Sequence, residues 1–217
     1  MSVPRSAREV RCLVFSASLR ADSLNSRLAA LAASAIESKG GHVHRASMAD
    51  FDAPSFNFDD EMTDGFPAGA VELRRQLEGC DAFVIASPEY NASMPGALKN
   101  AIDWVSRVSP QPLNERHGLL MSASPSMVGG NRGLWALRVP LEHLGARVYP
   151  SMFSLAQADR AFDDQGQLGD PQLAARFDQM VTSFMELVEA SVNYPCAKQA
   201  WVEFLGERTE PSYDRVE

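Results

Sequence analysis

Cysteine is scarce in this chain: three residues in 217, Cys12, Cys80 and Cys196. An odd and sparse set excludes a disulfide framework. Cys12 lies in an apolar run and Cys80 opens another, so both read as buried, reduced thiols, which suits a cytoplasmic location. Positive charge is also in deficit. Lys and Arg total 20 against 28 Asp and Glu, a net charge of −8. That balance argues against nucleic acid as a partner, because phosphate backbones are gripped by cations. Long apolar runs are missing. None approaches the ~20 residues of a membrane span, so no membrane partner is expected. Residues 1–8 hold no apolar segment of the kind a secretory signal needs. The histidines, His42, His44, His117 and His143, have no metal-ligand spacing with cysteines or carboxylates. The Gly-x-Ser-x-Gly nucleophile elbow is absent too.

What is present is a regular alternation of apolar runs and helical patterns. With 45% hydrophobic residues the chain can fill a core. Residues 1–192 read as one domain and 193–217 as a C-terminal extension with one helical candidate at 196–205. Strands are expected at 10–15, 42–46, 82–86, 118–123 and 148–153. Helices are expected at 24–38, 68–79, 96–105, 129–144 with a kink near Pro140, and 171–191. Gly40-Gly41 stops the first helix, and Asp170-Pro171 opens the last as N-cap and first residue. This is the pattern of an α/β three-layer sandwich with a five-stranded parallel sheet. It fits the flavodoxin-like order 2-1-3-4-5, whose switch point lies between strands one and three. Residues 50–66 read as a long polar loop carrying Phe51, Phe56, Phe58, Met62 and Phe66. A loop this long in a compact domain points to function, and its aromatic side chains need an apolar surface to cover.

Ligands of open parallel sheets bind beyond the carboxyl ends of the strands. The loop after strand one reads Ser16-Ala17-Ser18-Leu19-Arg20-Ala21-Asp22-Ser23-Leu24-Asn25. It offers Ser18, Ser23 and Asn25 as polar side chains, Arg20 as a forked donor, and a helix N-terminus, which together suit a phosphate. It is neither a Walker loop nor a glycine-rich dinucleotide fingerprint. After strand three comes Ser87-Pro88-Glu89-Tyr90-Asn91-Ala92-Ser93-Met94-Pro95-Gly96, running into Ala97-Leu98-Lys99-Asn100-Ala101-Ile102-Asp103-Trp104. After strand four, Ser122 and Ser124 precede a glycine pair, Gly129-Gly130, at a helix start. Lys99 and Asp103, four apart, read as a surface pair.

The second of these stretches closely resembles the flavin-binding loop of the NADPH-dependent FMN reductase family. The first resembles that family's Gly-Ser-x-Arg-x-x-Ser-x-Asn phosphate loop, with Ala17 in place of the usual glycine. If that position needed a left-handed backbone, alanine would be strained. The resemblance runs from about residue 10 to 153. It implies FMN, with its phosphate on Ser18, Arg20, Ser23 and Asn25. The ring would be bordered by Pro88, Glu89, Tyr90 and Asn91, mostly through backbone groups, and by Ser122 and Ser124. Glu89 is expected as a structural or interface carboxylate rather than a general base.

The implied activity is that of an FMN-dependent NAD(P)H oxidoreductase. It would take reducing equivalents from NADPH or NADH through flavin N5 to a small-molecule electron acceptor such as a quinone. No side chain is required as a catalytic nucleophile. The family also implies a homodimer or homotetramer, with Trp104 and Trp135 as interface or core residues. The alternative from another class is a flavodoxin-type electron carrier without turnover of its own.

Overall fold

Strand β1 (Arg11–Ser16) is buried from Cys12 to Ser16, and strand β3 (Ala82–Ala86) along its whole length. Runs buried on both faces belong at the centre of a parallel sheet, and both strands lie there. A computed structural model describes residues 8–194 of the chain. The helical candidate at 196–205 and Cys196 lie outside the described residues. Strand β2 (His42–Ser47) pairs with β1, β1 with β3, and β3 with β4 (His117–Ala123), all in parallel. Two short strands, β5 (Arg147–Val148) and β6 (Phe153–Leu155), then pair with successive parts of β4. The order β2-β1-β3-β4-β5 is the expected one.

Alternate side chains of each strand go to opposite faces. Val14, Val84, Leu119 and Met121 pack against helix α1 (Leu24–Ser38) and the long C-terminal helix α7 (Pro171–Asn193). Leu13, Phe15, Phe83, Ile85 and Leu120 pack against α3 (Ala68–Glu78), α4 (Gly96–Ser106) and α5 (Asn131–His143). Sequence periodicity finds α1 and β3 with their observed bounds. Asp170 caps α7 by accepting the N–H groups of Gln172 and Leu173, with Pro171 in the first turn. Pro140 lies inside a continuous α5. Trp104 is fully buried, and its indole N–H donates to the Pro54 carbonyl at 2.8 Å, whereas Trp135 is exposed. Cys12 and Cys80 are buried and unpaired, and Lys99 bonds Asp103 at 2.6 Å.

Two expectations need correction. The fifth strand is not one run over 148–153. Pro150 has no N–H to give a ladder, and the strand breaks into β5 and β6 around it. Residues 50–66 are not a plain loop either. A 3₁₀ turn (Met48–Phe51) is followed by helix α2 (Phe58–Asp64). Asn57 caps α2 by accepting the Asp59 N–H, and Asp59, Asp60 and Glu61 fill its first turn, where carboxylates meet the positive end of the helix. Short helix α6 (Ala158–Ala161) precedes α7.

The aromatic side chains of that segment divide. Phe51 is buried edge-on against Phe15. Phe56 and Phe66 lean on Trp104, and Asn100 ties the carbonyls of Ala53 and Pro54 to α4. Phe58 and Met62, on α2, stay exposed, and α2 buries none of its residues.

Candidate functional site

Because the strands are parallel, the loops after β1, β3 and β4 all leave the same edge of the sheet. The first, residues 17–23, is short and tightly hydrogen-bonded. The Ala17 N–H donates to the Ala86 carbonyl (2.9 Å), the Ser18 N–H to Ser16 Oγ (3.3 Å) and the Arg20 N–H to Ser18 Oγ (3.3 Å). Ala17 is not among the residues with a left-handed backbone, so alanine sits there without strain, its methyl buried in the core. Ser23 is the N-cap of α1. Its hydroxyl accepts the Asn25 N–H at 3.2 Å and still has a proton to donate. No acidic residue occupies the first turn of α1. Arg20 is exposed and its guanidinium makes no hydrogen bond or ion pair with another described residue. Helix N–H groups, two hydroxyls and an unpaired guanidinium are a donor set that fits a phosphate, and the one carboxylate of the loop, Asp22, is exposed.

Asn25 is placed differently from the other three. Its side chain is buried and bonds both backbone groups of one residue on β4. Nδ2 donates to the Ala123 carbonyl at 3.0 Å, and the Ala123 N–H donates to Oδ1 at 2.9 Å. Asn25 thereby fastens the start of α1 to the strand end from which the third loop departs.

The second loop turns at Tyr90–Ser93, where each residue's N–H bonds the other's carbonyl. The two central residues are left-handed, Asn91 with φ 52° and Ala92 with φ 61°. Asparagine tolerates that region, and alanine there is strained. Strain of this kind collects where surrounding structure over-determines a loop, commonly at ligand sites. Tyr90, which opens the turn, is half-exposed.

Glu89 points the other way. Its carboxylate is almost wholly buried and accepts the N–H groups of Arg132 (2.9 Å) and Gly133 (3.1 Å) at the start of α5, together with the Arg132 guanidinium (Nε, 2.8 Å). Burial alone would raise its pKa, but the Arg132 and Gly133 hydrogen bonds outweigh burial and hold it below the ordinary glutamate value. The carboxylate is thereby committed to the start of α5.

The third loop begins at Ser124, whose N–H and carbonyl bond the backbone of Leu155 and Ala158, and whose hydroxyl accepts the Ser126 N–H. Gly129 (φ 63°) and Gly130 (φ 81°) then lead into α5. A Cβ on Gly130 would stand 1.9 Å from Ser122 Oγ. Ser122 is fully buried and its hydroxyl has no hydrogen-bond partner.

All ten residues singled out in the sequence therefore lie on or just under three adjoining loops. Ser18, Arg20, Ser23, Tyr90, Asn91 and Ser124 reach the loop surfaces or cap the helix, Pro88 is half-buried at the start of the second loop, and Asn25, Glu89 and Ser122 are turned inward. Sequence reasoning missed Arg132. It stands two residues after the glycine pair in a stretch that drew attention, but nothing local reveals that its partner is 43 residues away. No group of three His, Cys, Asp or Glu side chains among the described residues is arranged to hold a metal.

A doubly wound parallel sheet with a phosphate-ready loop at its switch point, flanked by two further loops, defines a nucleotide-binding protein of flavodoxin type. Residues 10–160 match the model of the NADPH-dependent FMN reductase family, and the chain belongs to that family. It is an oxidoreductase that works with FMN and a nicotinamide dinucleotide. It is 34% identical over 140 residues to a quinone reductase of Escherichia coli, covering 64% of this chain and 74% of that one. It is likewise 34% identical over 176 residues to an NAD(P)H-dependent FMN reductase of Pseudomonas aeruginosa, covering 80% and 92%. Among solved structures it is similar to the flavoenzyme NAD(P)H:(acceptor) oxidoreductase FerB of Paracoccus denitrificans, at 27% identity and a TM-score of 0.71 over 83% of this chain and 97% of that one. An archaeal flavodoxin, at 12% identity and a TM-score of 0.53, shares the fold alone.

Proposed function

We propose that the three loops hold FMN, with its phosphate on the 17–23 loop and its ring between the second and third loops, and that the chain reduces small quinone-class acceptors. The observation that carries this is the unpaired donor set of Arg20, Ser18 and Ser23 around the open N-terminus of α1, beside a strained turn at Asn91-Ala92. Ser18, Arg20 and Ser23 bind the phosphate. Asn25 positions that loop through Ala123. Pro88, Tyr90 and Asn91 border the ring, and Ser122 and Ser124 flank it beneath the third loop. Glu89 acts from behind, through α5. Bound FMN supplies hydride acceptance and donation. The chain's residues bind and orient it, and no side chain need carry a covalent step.

The names of relatives support the acceptor class. Residues 1–192 serve as the flavin domain and 193–217 as an extension. The protein works in the cytoplasm, in keeping with its buried free thiols. No helix among the described residues is long and apolar enough to cross a membrane. A homodimer or homotetramer would cover the exposed Trp135 and Val139, one turn apart on α5, and the neighbouring Met127 and Val128.

Titration of apo-protein with FMN, followed by steady-state NADPH oxidation with a quinone, tests this reading. Parallel double-reciprocal lines are expected, since one crevice serves donor and acceptor in turn. Flavin binding without turnover would favour the electron carrier instead.

A further inference from the structure

The second loop closes on itself. Tyr90 and Ser93 each donate an N–H to the other's carbonyl, at 2.9 and 3.0 Å. Between them Asn91 and Ala92 are both left-handed, the pattern of a type I′ turn, for which Asn-Gly is a favoured pair. Alanine in the glycine position is held against its own preference. Both residues are exposed, so no core packing at the tip offsets that strain. What holds the turn lies at its base.

The base rests on α5. Glu89, directly before the turn, accepts the N–H groups of Arg132 and Gly133. The N-cap of α5, Gly130, makes no side-chain hydrogen bond to the helix, so a residue of another loop satisfies these first-turn donors. Gly133 is the point of contact. A Cβ there would stand 3.0 Å from the Ser93 carbonyl oxygen and 3.1 Å from Glu89 Cα, so both ends of the turn lie against the helix at this one residue. Glycine is a poor helix former, and the close approach of the turn accounts for it here. Residues 17–23 take no part in these contacts.

We propose that Glu89 and Gly133 are positioning residues for the flavin ring: they hold the Tyr90–Ser93 turn in its left-handed shape on α5 before the ring arrives. A turn already in shape adds no ordering cost to binding. This rests on the reading above in which the second loop borders the ring. It separates the two ends of the ligand, since the clamp serves the ring and Arg20 serves the phosphate.

Fluorescence titrations of full-length apo-protein test it, with FMN and with riboflavin, which lacks the phosphate. Glu89→Gln and Gly133→Ala should each weaken both ligands by the same factor, about tenfold where the charged hydrogen bonds of Glu89 are lost. Arg20→Ala should weaken FMN and leave riboflavin alone. Alanine favours a helix over glycine, so Gly133→Ala is expected to keep the native melting temperature while flavin affinity falls, which a merely structural role would not produce. Adding Ala92→Gly to the Glu89→Gln chain relieves the turn and should recover most of the lost affinity for both ligands. Clamp variants that bind both flavins within about twofold of the native chain overturn the proposal. So does a loss confined to FMN, or a loss that Ala92→Gly leaves untouched. Failure of the native chain to bind FMN is a different result and overturns the loop reading on which the proposal rests.

Discussion

The Glu89 carboxylate reaches across 43 residues of sequence to cap α5, taking the backbone N–H groups of Arg132 and Gly133 and the Arg132 guanidinium. It joins the loop after β3 to the helix after β4, so the second and third loops are tied to one another. Glu89→Gln keeps the size and removes the charge. Loss of a charged hydrogen-bond set of this kind should cost about 1.5–3 kcal/mol in urea unfolding. The pKa of Glu89 is lowered in the folded chain. Its contribution is therefore present above the unfolded-state value near 4.5 and disappears as pH falls below it. Native and Glu89→Gln stabilities should converge at acid pH, and a gap that persists there would assign the effect to packing.

Arg20 is the test of the phosphate loop. Its guanidinium has no hydrogen bond or ion pair among the described residues to lose, so Arg20→Ala should leave unfolding nearly unchanged. FMN affinity should fall by about 1.5–3 kcal/mol, the worth of one hydrogen bond to a charged group. An unchanged dissociation constant would remove Arg20 from the site.

Gly130→Ala meets two obstacles at once. The backbone is left-handed at φ 81°, and the added methyl would stand 1.9 Å from Ser122 Oγ. A destabilisation of about 1–3 kcal/mol is expected for the backbone conformation alone. Ser122→Gly in the same chain should recover the steric part and leave the conformational part, a partition that chemical denaturation of the two variants reads directly.

Phe58 is half-exposed, with the Arg107 guanidinium 5.4 Å from the centre of its ring. Phe58→Ala should change stability by no more than about 0.5 kcal/mol, as at most surface positions. If α2 walls the acceptor site, kcat/KM for a quinone changes while FMN affinity does not. A variant with intact acceptor kinetics would leave α2 outside the site.

Burial pushes the Cys12 thiol up to about 12 and the Cys80 thiol up to about 11, from an ordinary 9.0. The folded chain holds these protons to higher pH than the unfolded chain does. Their contribution is whole below pH 9 and drains away as pH rises through about 11 for Cys80 and about 12 for Cys12. In a Cys196→Ser chain, native protein at pH 8 should give no titre with a thiol reagent, and denatured protein should give two equivalents.

Much of this architecture is local information. Leu28, Ala32 and Ile36 repeat at helical spacing, and Gly40 supplies the left-handed turn that stops α1. Ala82–Ala86 is apolar throughout because both faces of β3 are covered. Ser23 is legible as a cap from its place before Leu24. The misreadings came where local and distant causes part. Helix α2 has no buried face, so it leaves no apolar period, and only Asn57 and three successive acids mark its start. The inward turns of Asn25 and Glu89 depend on partners 98 and 43 residues away, which no window of sequence contains.

The division of the fifth strand around Pro150 bears on how the sheet meets other molecules. An unbroken edge strand is a template on which a foreign chain can add its own ladder. At this edge only Arg147–Val148 and Phe153–Leu155 are in register with β4, and the stretch between them cannot offer a continuous row of donors and acceptors. The Arg138 guanidinium occupies the carbonyls of Val148 and Tyr149 as well. Strand addition is thereby discouraged on that flank. The opposite flank, β2, is exposed along much of its length and carries one cation, Arg45, paired with Glu37, so the sheet ends on one side in a gap and on the other in a polar strand.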